Sequence, residues 1–224
     1  MIELKNAVIS LTRDGRRNLG VSMFLSRGDW AVLVGPNGSG KTTILDIVAG
    51  VRQPDRGTLS VQSPENPIAY VVQDSNSSLL PWCSVLSNIL LPLRLHRSSL
   101  GNEPAEALTL LAKFGLAERA YDFPYRLSAG EKQLVNLVRA LSTPAEIVLF
   151  DEPFTNLNAL VRSSVEKLVV DFARNRTTLF VTHDPADLDL PITRYFKIDN
   201  EQVIEVQRCE AQESLTHVES NASA

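Results

Sequence analysis

Only two cysteines occur in 224 residues, Cys83 and Cys209, and their wide separation offers neither a metal-ligand spacing nor a disulfide framework. That usage suits a reducing compartment. Net charge is −4, so no overall basic character draws the chain towards nucleic acid. No apolar run approaches the ~18 residues that suggest a membrane span. The N-terminal "MIELKNAVIS" lacks the charged-then-apolar layout of a secretory signal. The expectation is a protein kept in the cytosol that touches a membrane only by holding a membrane partner. Internal repeats, low-complexity blocks and sustained heptads are also missing. What remains, with 44% hydrophobic and 21% charged residues, is an ordinary globular chain long enough to bury a substantial core.

"IELKNAVIS" and "VSMFLS" partly alternate and read as strands with one wet face, joined by a turn in "RDGRR". "AVLVG", "AYVVQ", "EIVLFDE" and "TLFVTH" are instead almost continuously apolar before a polar ending. Strands covered on both faces have this character, which predicts an α/β fold with a parallel sheet flanked by helices and an antiparallel β portion. An insertion over about residues 74–140 reads as a mostly helical subdomain, with "PAEALTLLAKFGL" at helical spacing and Pro81, Pro92 and Pro104 breaking it up. "YFKIDNEQVIEV" predicts a hairpin turning at Asp199-Asn200. Residues 1–208 are thus expected to form one domain, and 209–224, with little to bury, a flexible tail.

Between a strand and a helix, Gly35-Pro36-Asn37-Gly38-Ser39-Gly40-Lys41-Thr42 fits G-x-x-x-x-G-K-[ST]. Glycines let successive backbone N–H groups curl around phosphate oxygens, and the following helix aims its positive end at the same place. In that pattern Lys41 reaches the β- and γ-phosphates and the Thr42 hydroxyl reaches Mg²⁺. "EIVLFDEP" then places two carboxylates at the end of a buried strand, Asp151 to anchor the metal and Glu152 to polarise water. Gln73 and His183 end two further strands, and ligands of open α/β sheets sit beyond such carboxyl ends. Ser128 followed by Glu131 forms a capping box that opens a helix with Leu134, Val135, Leu137, Val138 and Leu141 on its apolar face.

With "LSAGEKQ" at residues 127–133, the chain resembles the ATP-binding subunits of ABC transporters. The phosphate loop, Gln73, this signature, Asp151-Glu152 and His183 appear in that family's order, and the resemblance covers nearly the whole chain. It implies a P-loop NTPase cassette that binds ATP and Mg²⁺ in a head-to-tail dimer. Implied nucleotide contacts are residues 35–42 with Thr43, Leu11 at the base, and Ser128, Ala129, Gly130 and Glu131 from the opposite subunit. Implied catalytic residues are Glu152, His183, Lys41 and Gln73, and implied metal contacts are Thr42, Gln73 and Asp151. Three positions depart from the family pattern: Leu11 where an aromatic stacks on adenine, Glu131 where glutamine is usual, with its charge offset by Lys132, and Asn158 where aspartate is typical.

"SSLLPWCSVLSNILLPLRL" (77–95) resembles the segment in nitrate, sulfonate and taurine importers that receives a coupling helix of the membrane subunit. A groove near Leu79, Leu80, Pro81 and Trp82 is therefore expected to hold a transmembrane permease, with a second ATPase subunit and a solute-binding protein in the complex and no nucleic acid. The resemblance places the chain peripherally on the cytoplasmic side of the cell membrane. Alternatives are a lipid-handling or exporting system, or a regulatory ATPase outside transport. A single phosphate loop without tandem cassettes or a long coiled coil argues against ribosome and DNA-repair types.

Overall fold

The computed structural model describes residues 1–12, 14, 16–62, 67–95 and 103–222, the side chains of 103 and 217–222 excepted. In chain order the elements are β1 (Ile2–Ser10), β2 (Asn18–Leu25), β3 (Trp30–Val34), α1 (Lys41–Val48), β4 (Arg56–Val61), β5 (Ile68–Val71), α2 (Ser75–Ser78) and α3 (Val85–Leu95). Then follow α4 (Glu103–Lys113), α5 (Ala129–Ser142), β6 (Ile147–Asp151), α6 (Ala159–Ala173), β7 (Thr177–Val181), β8 (Arg194–Asp199), β9 (Gln202–Val206) and α7 (Arg208–Ala222). Short 3-10 turns lie at Ala117–Arg119, Pro124–Arg126 and Pro185–Asp189. Two compact units result. The first is Met1–Pro64, Leu149–Asp151 and Asn175–Ala224; the second is Glu65–Val148 and Glu152–Arg174.

In the first unit the strands run in the order β4-β1-β2-β9-β8-β3-β7. β3 is parallel to both β7 and β8, whereas β1 pairs antiparallel with β2 and β4. Every residue of β3 and β7 is buried, which explains their continuous apolar runs: a strand covered on both faces has no wet side on which to place polar residues. β1 alternates, burying Leu4, Ala7 and Ile9. α1 packs on β4 and β7 through an apolar face that includes Ile44, Leu45 and Val48. The β8–β9 hairpin turns at Asn200 and Glu201, with φ of 45° and 59°. Two consecutive left-handed residues match the twist of a tight hairpin, and they place the turn one residue later than the sequence pattern suggested.

The expected tail does not describe residues 209–222, which are helical in α7. Ala211 and Leu215, four residues apart on one face, are fully buried, and the helix packs on β3, β8 and Pro185–Asp189. An ion pair of 2.5 Å from Arg208 to Asp189 fixes its start. Two small footholds at helical spacing were enough, although average composition gave little sign of them.

In the second unit α5 is the hub, touching α2, α3, α4, α6 and β5. Leu134, Val135, Leu137, Val138 and Leu141 are all buried, as the apolar face predicted. β5 buries alternate residues only, unlike the continuous burial its sequence implied. α3 runs through Pro92 rather than breaking there. Proline removes one backbone hydrogen bond, but packing of α3 on α5, with Val85, Ile89 and Leu90 buried, outweighs that loss. Pro104 is the second residue of α4, where a missing N–H has no intrahelical partner to forfeit. Pro81 alone of the three lies in a loop.

Candidate functional site

β3 delivers the chain to Gly35, and α1 starts at Lys41. Between them Gly38 and Gly40 have φ of 70° and 105°, a region in which a side chain strains the backbone. At Gly40 a second constraint applies, since an added Cβ would lie 2.7 Å from Leu11 Cδ2. The loop therefore presents backbone to whatever lies before it. Ser39 is 3% exposed, and its Oγ has no hydrogen-bond partner. An orphaned buried hydroxyl costs free energy, and a phosphate oxygen is a natural acceptor for it. Lys41 is similarly buried, its Nζ donating to the carbonyls of Gly35 at 2.8 Å and Pro36 at 3.1 Å. The ammonium is thus held within the loop it serves.

Thr42 Oγ1 donates to Asp151 Oδ2 at 2.7 Å. The pairing unites the first residue pair of α1 with the last residue of β6, more than a hundred positions apart, and provides the hard oxygens that suit Mg²⁺. His183 is exposed, two residues beyond β7. Its neighbours are not free to move: the buried Thr182 hydroxyl donates to the Asp187 carboxylate and accepts from Asp184 N–H at 2.9 Å. Leu11, expected at the base, is half-buried over Gly40, and its N–H donates to Arg17 O at 2.8 Å.

In the second unit Glu152 adopts φ of 50°, a left-handed conformation that costs free energy for a residue with a Cβ and collects at functional positions. Its carbonyl accepts from Thr155 Oγ1 at 2.9 Å, and its Oε2 accepts from Gln73 Nε2 at 3.1 Å. Two residues picked from separate strands, Gln73 and Glu152, therefore meet. Gln133 on α5 donates from Nε2 to Pro153 O at 2.7 Å, tying the next peptide down.

The capping box at α5 is present in full: Glu131 N–H donates to Ser128 Oγ at 3.2 Å, and Ser128 N–H donates to Glu131 Oε2 at 2.8 Å. Ser128 and Ala129 are exposed, and Gly130 is half-buried. A Cβ on Gly130 would lie 3.0 Å from Asn156 O, so this position is small because backbone passes close by. The Ser128 N–H, aided by the Arg119 guanidinium, holds the Glu131 carboxyl below the usual carboxylate range.

The pattern of the ABC transporter family matches residues 19–155. This chain belongs to the ABC transporter family. Over 187 residues the cassette is 36% identical to an aliphatic sulfonates import ATP-binding protein of Pseudomonas syringae, an alignment covering 82% of this chain and 64% of the relative. A taurine import ATP-binding protein of Chromobacterium violaceum is 38% identical over 172 residues, covering 74% and 65%. The cassette thus spans slightly less than two thirds of these relatives' length. Among solved structures, a dimeric ATP-binding cassette in a post-hydrolysis state, bound to ADP and Pi, superposes with a TM-score of 0.81 at 25% identity, covering 93% of this chain and 99% of that one.

Within the cassette several expectations need correction. Asn158, where aspartate is typical, is the N-cap of α6 and accepts from Val161 N–H at 3.0 Å. The cation beside Glu131 is Arg119 at 3.1 Å; Lys132 instead donates to Asn76 Oδ1 at 2.8 Å. Leu79 is 3% exposed and belongs to the core, whereas Trp82 is 73% exposed and Pro81 is also outside.

Three positioning residues were absent from the sequence reading. Asn136 donates to Val72 O at 3.3 Å and Arg139 to Ser78 O at 2.7 Å, so two turns of α5 grip both sides of the segment that carries Gln73. Asn88 is 1% exposed; it accepts from Leu80 N–H at 2.8 Å and donates to the carbonyls of Leu80, Cys83 and Ser84 at 3.1 Å each. That clamp holds Trp82 outward. Polar residues inside otherwise apolar helical faces were the available signal.

Proposed function

We propose that the cassette binds Mg·ATP and hydrolyses it to drive import of a small sulfonate-type anion through a membrane permease. The carrying observation is the hydrogen bond of 2.7 Å between Thr42 and Asp151 beside the buried Lys41 ammonium. Bound Mg²⁺ would neutralise charge on the β- and γ-phosphates. Thr42 and Asp151 are the residues that would hold it. The backbone N–H groups of residues 37–42 and the unpartnered Ser39 hydroxyl bind phosphate oxygens, and Lys41 stabilises negative charge as the γ-phosphoryl group transfers.

Asp151 and Glu152 are joined by one peptide bond, so the general base follows the metal anchor directly in the chain. Its Oε2 is oriented by Gln73 Nε2, leaving the carboxylate to direct an attacking water. His183 adds a polar group beyond β7 for the transferring phosphate. The relatives named as sulfonate and taurine import proteins support import as the direction, and the dimeric neighbour supports a second ATPase subunit, which in this reading faces the Ser128–Glu131 helix start. Exposed Trp82, together with Tyr121 and Tyr125 at 72% and 70% exposure, suits a permease contact on the cytoplasmic membrane face, in a complex fed by a solute-binding protein.

The test is Glu152→Gln. Hydrolysis should fall at least about 100-fold, as for loss of a positioned general base, while ATP affinity persists. Phosphate release equal to that of the wild-type protein would refute the enzymatic reading.

A further inference from the structure

Glu131 brings a carboxylate to the third residue of α5, at the helix start that the proposed function sets against the triphosphate of a second copy. Left alone, a negative charge there opposes an anionic ligand and cancels part of the helix's positive end. The capping box does not remove that charge, because both of its hydrogen bonds leave the carboxylate ionised.

The remaining oxygen is occupied differently. Arg119 Nε donates to Glu131 Oε1 at 3.1 Å, and its NH1 reaches Asp122 Oδ2 at 3.1 Å. Asp122 Oδ1 in turn accepts from Arg126 NH1 at 3.4 Å. Two guanidinium groups and two carboxylates therefore alternate, with no net formal charge. Arg119 ends the 3-10 turn Ala117–Arg119, and the Ala120 and Asp122 backbones are bonded to Leu86 and Val85 at the start of α3. The guanidinium thus approaches Glu131 from a braced segment, in contrast to the flexible stem of Lys132, which points to Asn76.

We propose that Arg119 is a positioning residue of the nucleotide-clamping surface: it neutralises Glu131 and pins its carboxylate to the Ser128 N–H, so that the start of α5 accepts a second copy's triphosphate. This rests on the dimer reading above. A simple staple between the 117–126 segment and α5 would involve the same contacts, but it makes a different prediction. Loss of a staple is not repaired by removing its other half, whereas loss of neutralisation is repaired when the charge it neutralised is removed too.

The experiment measures Mg·ATP-dependent dimerisation of the Glu152→Gln protein by sedimentation, alone and with Arg119→Gln, Arg119→Lys, or Arg119→Gln plus Glu131→Gln. Arg119→Gln should raise the ATP concentration for half-maximal dimer by about five-fold at low salt, and the penalty should shrink as salt is added. Arg119→Lys, which keeps the charge but not the fork, should fall between. Adding Glu131→Gln should bring the value back to within about two-fold of the parent. An unaffected Arg119→Gln protein, or a double variant as impaired as the single, overturns the inference while the dimer reading stands. A parent that remains monomeric at saturating Mg·ATP overturns the dimer reading and this inference with it.

Discussion

The phosphate loop and the α5 helix start both lead directly into a helix, yet they are built in opposite ways. In the loop the geometry is enforced locally, by glycines at φ of 70° and 105° followed immediately by α1. Around α5 it is enforced from a distance: Arg119 reaches Glu131, Gln133 holds Pro153 O, and Asn136 and Arg139 hold Val72 and Ser78. The difference teaches that a short motif is sufficient where backbone conformation itself is the functional part. Where several segments have to converge on one helix, the functional part is a set of side-chain contacts that no contiguous motif contains.

Gly40→Ala should break the local half of this contrast most severely. The residue combines a left-handed φ with a Cβ position 2.7 Å from Leu11, and strain together with overpacking predicts a loss of about 2–4 kcal/mol in denaturant unfolding. Adding Leu11→Ala relieves the shortest contact but leaves the strained φ and a second contact of 3.0 Å to the buried Leu19 side chain. The pair should therefore recover only part of the loss, and full recovery would show that the left-handed conformation at residue 40 tolerates a side chain.

Asn88→Ala probes the distant half. It strips the side-chain clamp from the half-buried Leu80, Cys83 and Ser84 backbone and leaves the Leu80 N–H without its acceptor, for an expected loss of about 1–3 kcal/mol. ATP affinity of the isolated cassette, measured by titration with a fluorescent analogue, should stay near that of the parent, because Asn88 supports the Trp82 loop rather than the phosphate loop. A large fall in affinity would erase the distinction between the two regions.

The smallest effect concerns Glu131. The Ser128 N–H holds its carboxyl below the ordinary value, so folding favours the ionised form. Its contribution to stability is present above the unfolded pKa, near 4.5, and is lost as pH falls through the lower folded value. The melting temperature of the parent minus that of Glu131→Gln should accordingly fall as pH is taken from neutrality to below the unfolded value. A difference constant over that range would place the carboxylate's interactions outside the folded-state balance.

Much of the site was legible because its parts obey local rules. Residues 35–42 need glycine for left-handed backbone, Ser128 and Glu131 need only three intervening steps to form a capping box, and the buried runs of β3 and β7 needed no polar alternation. α7 escaped the same reading, since Ala211 and Leu215 are too few to raise average hydropathy although they lie on one face. Trp82 and Leu79 were treated alike for a related reason: apolar character does not state whether a side chain points inward, and Asn88 is what decides it.

By itself, then, the sequence determined the phosphate loop, the signature helix and the α/β class, since these follow from backbone conformation and hydrophobic period within short windows. The tertiary structure decided which distant groups complete them: Asp151 on Thr42, Gln73 on Glu152 and Arg119 on Glu131. The physical reason is that a charge or hydrogen bond acts over a few ångströms of space, and only packing converts separation along the chain into that distance.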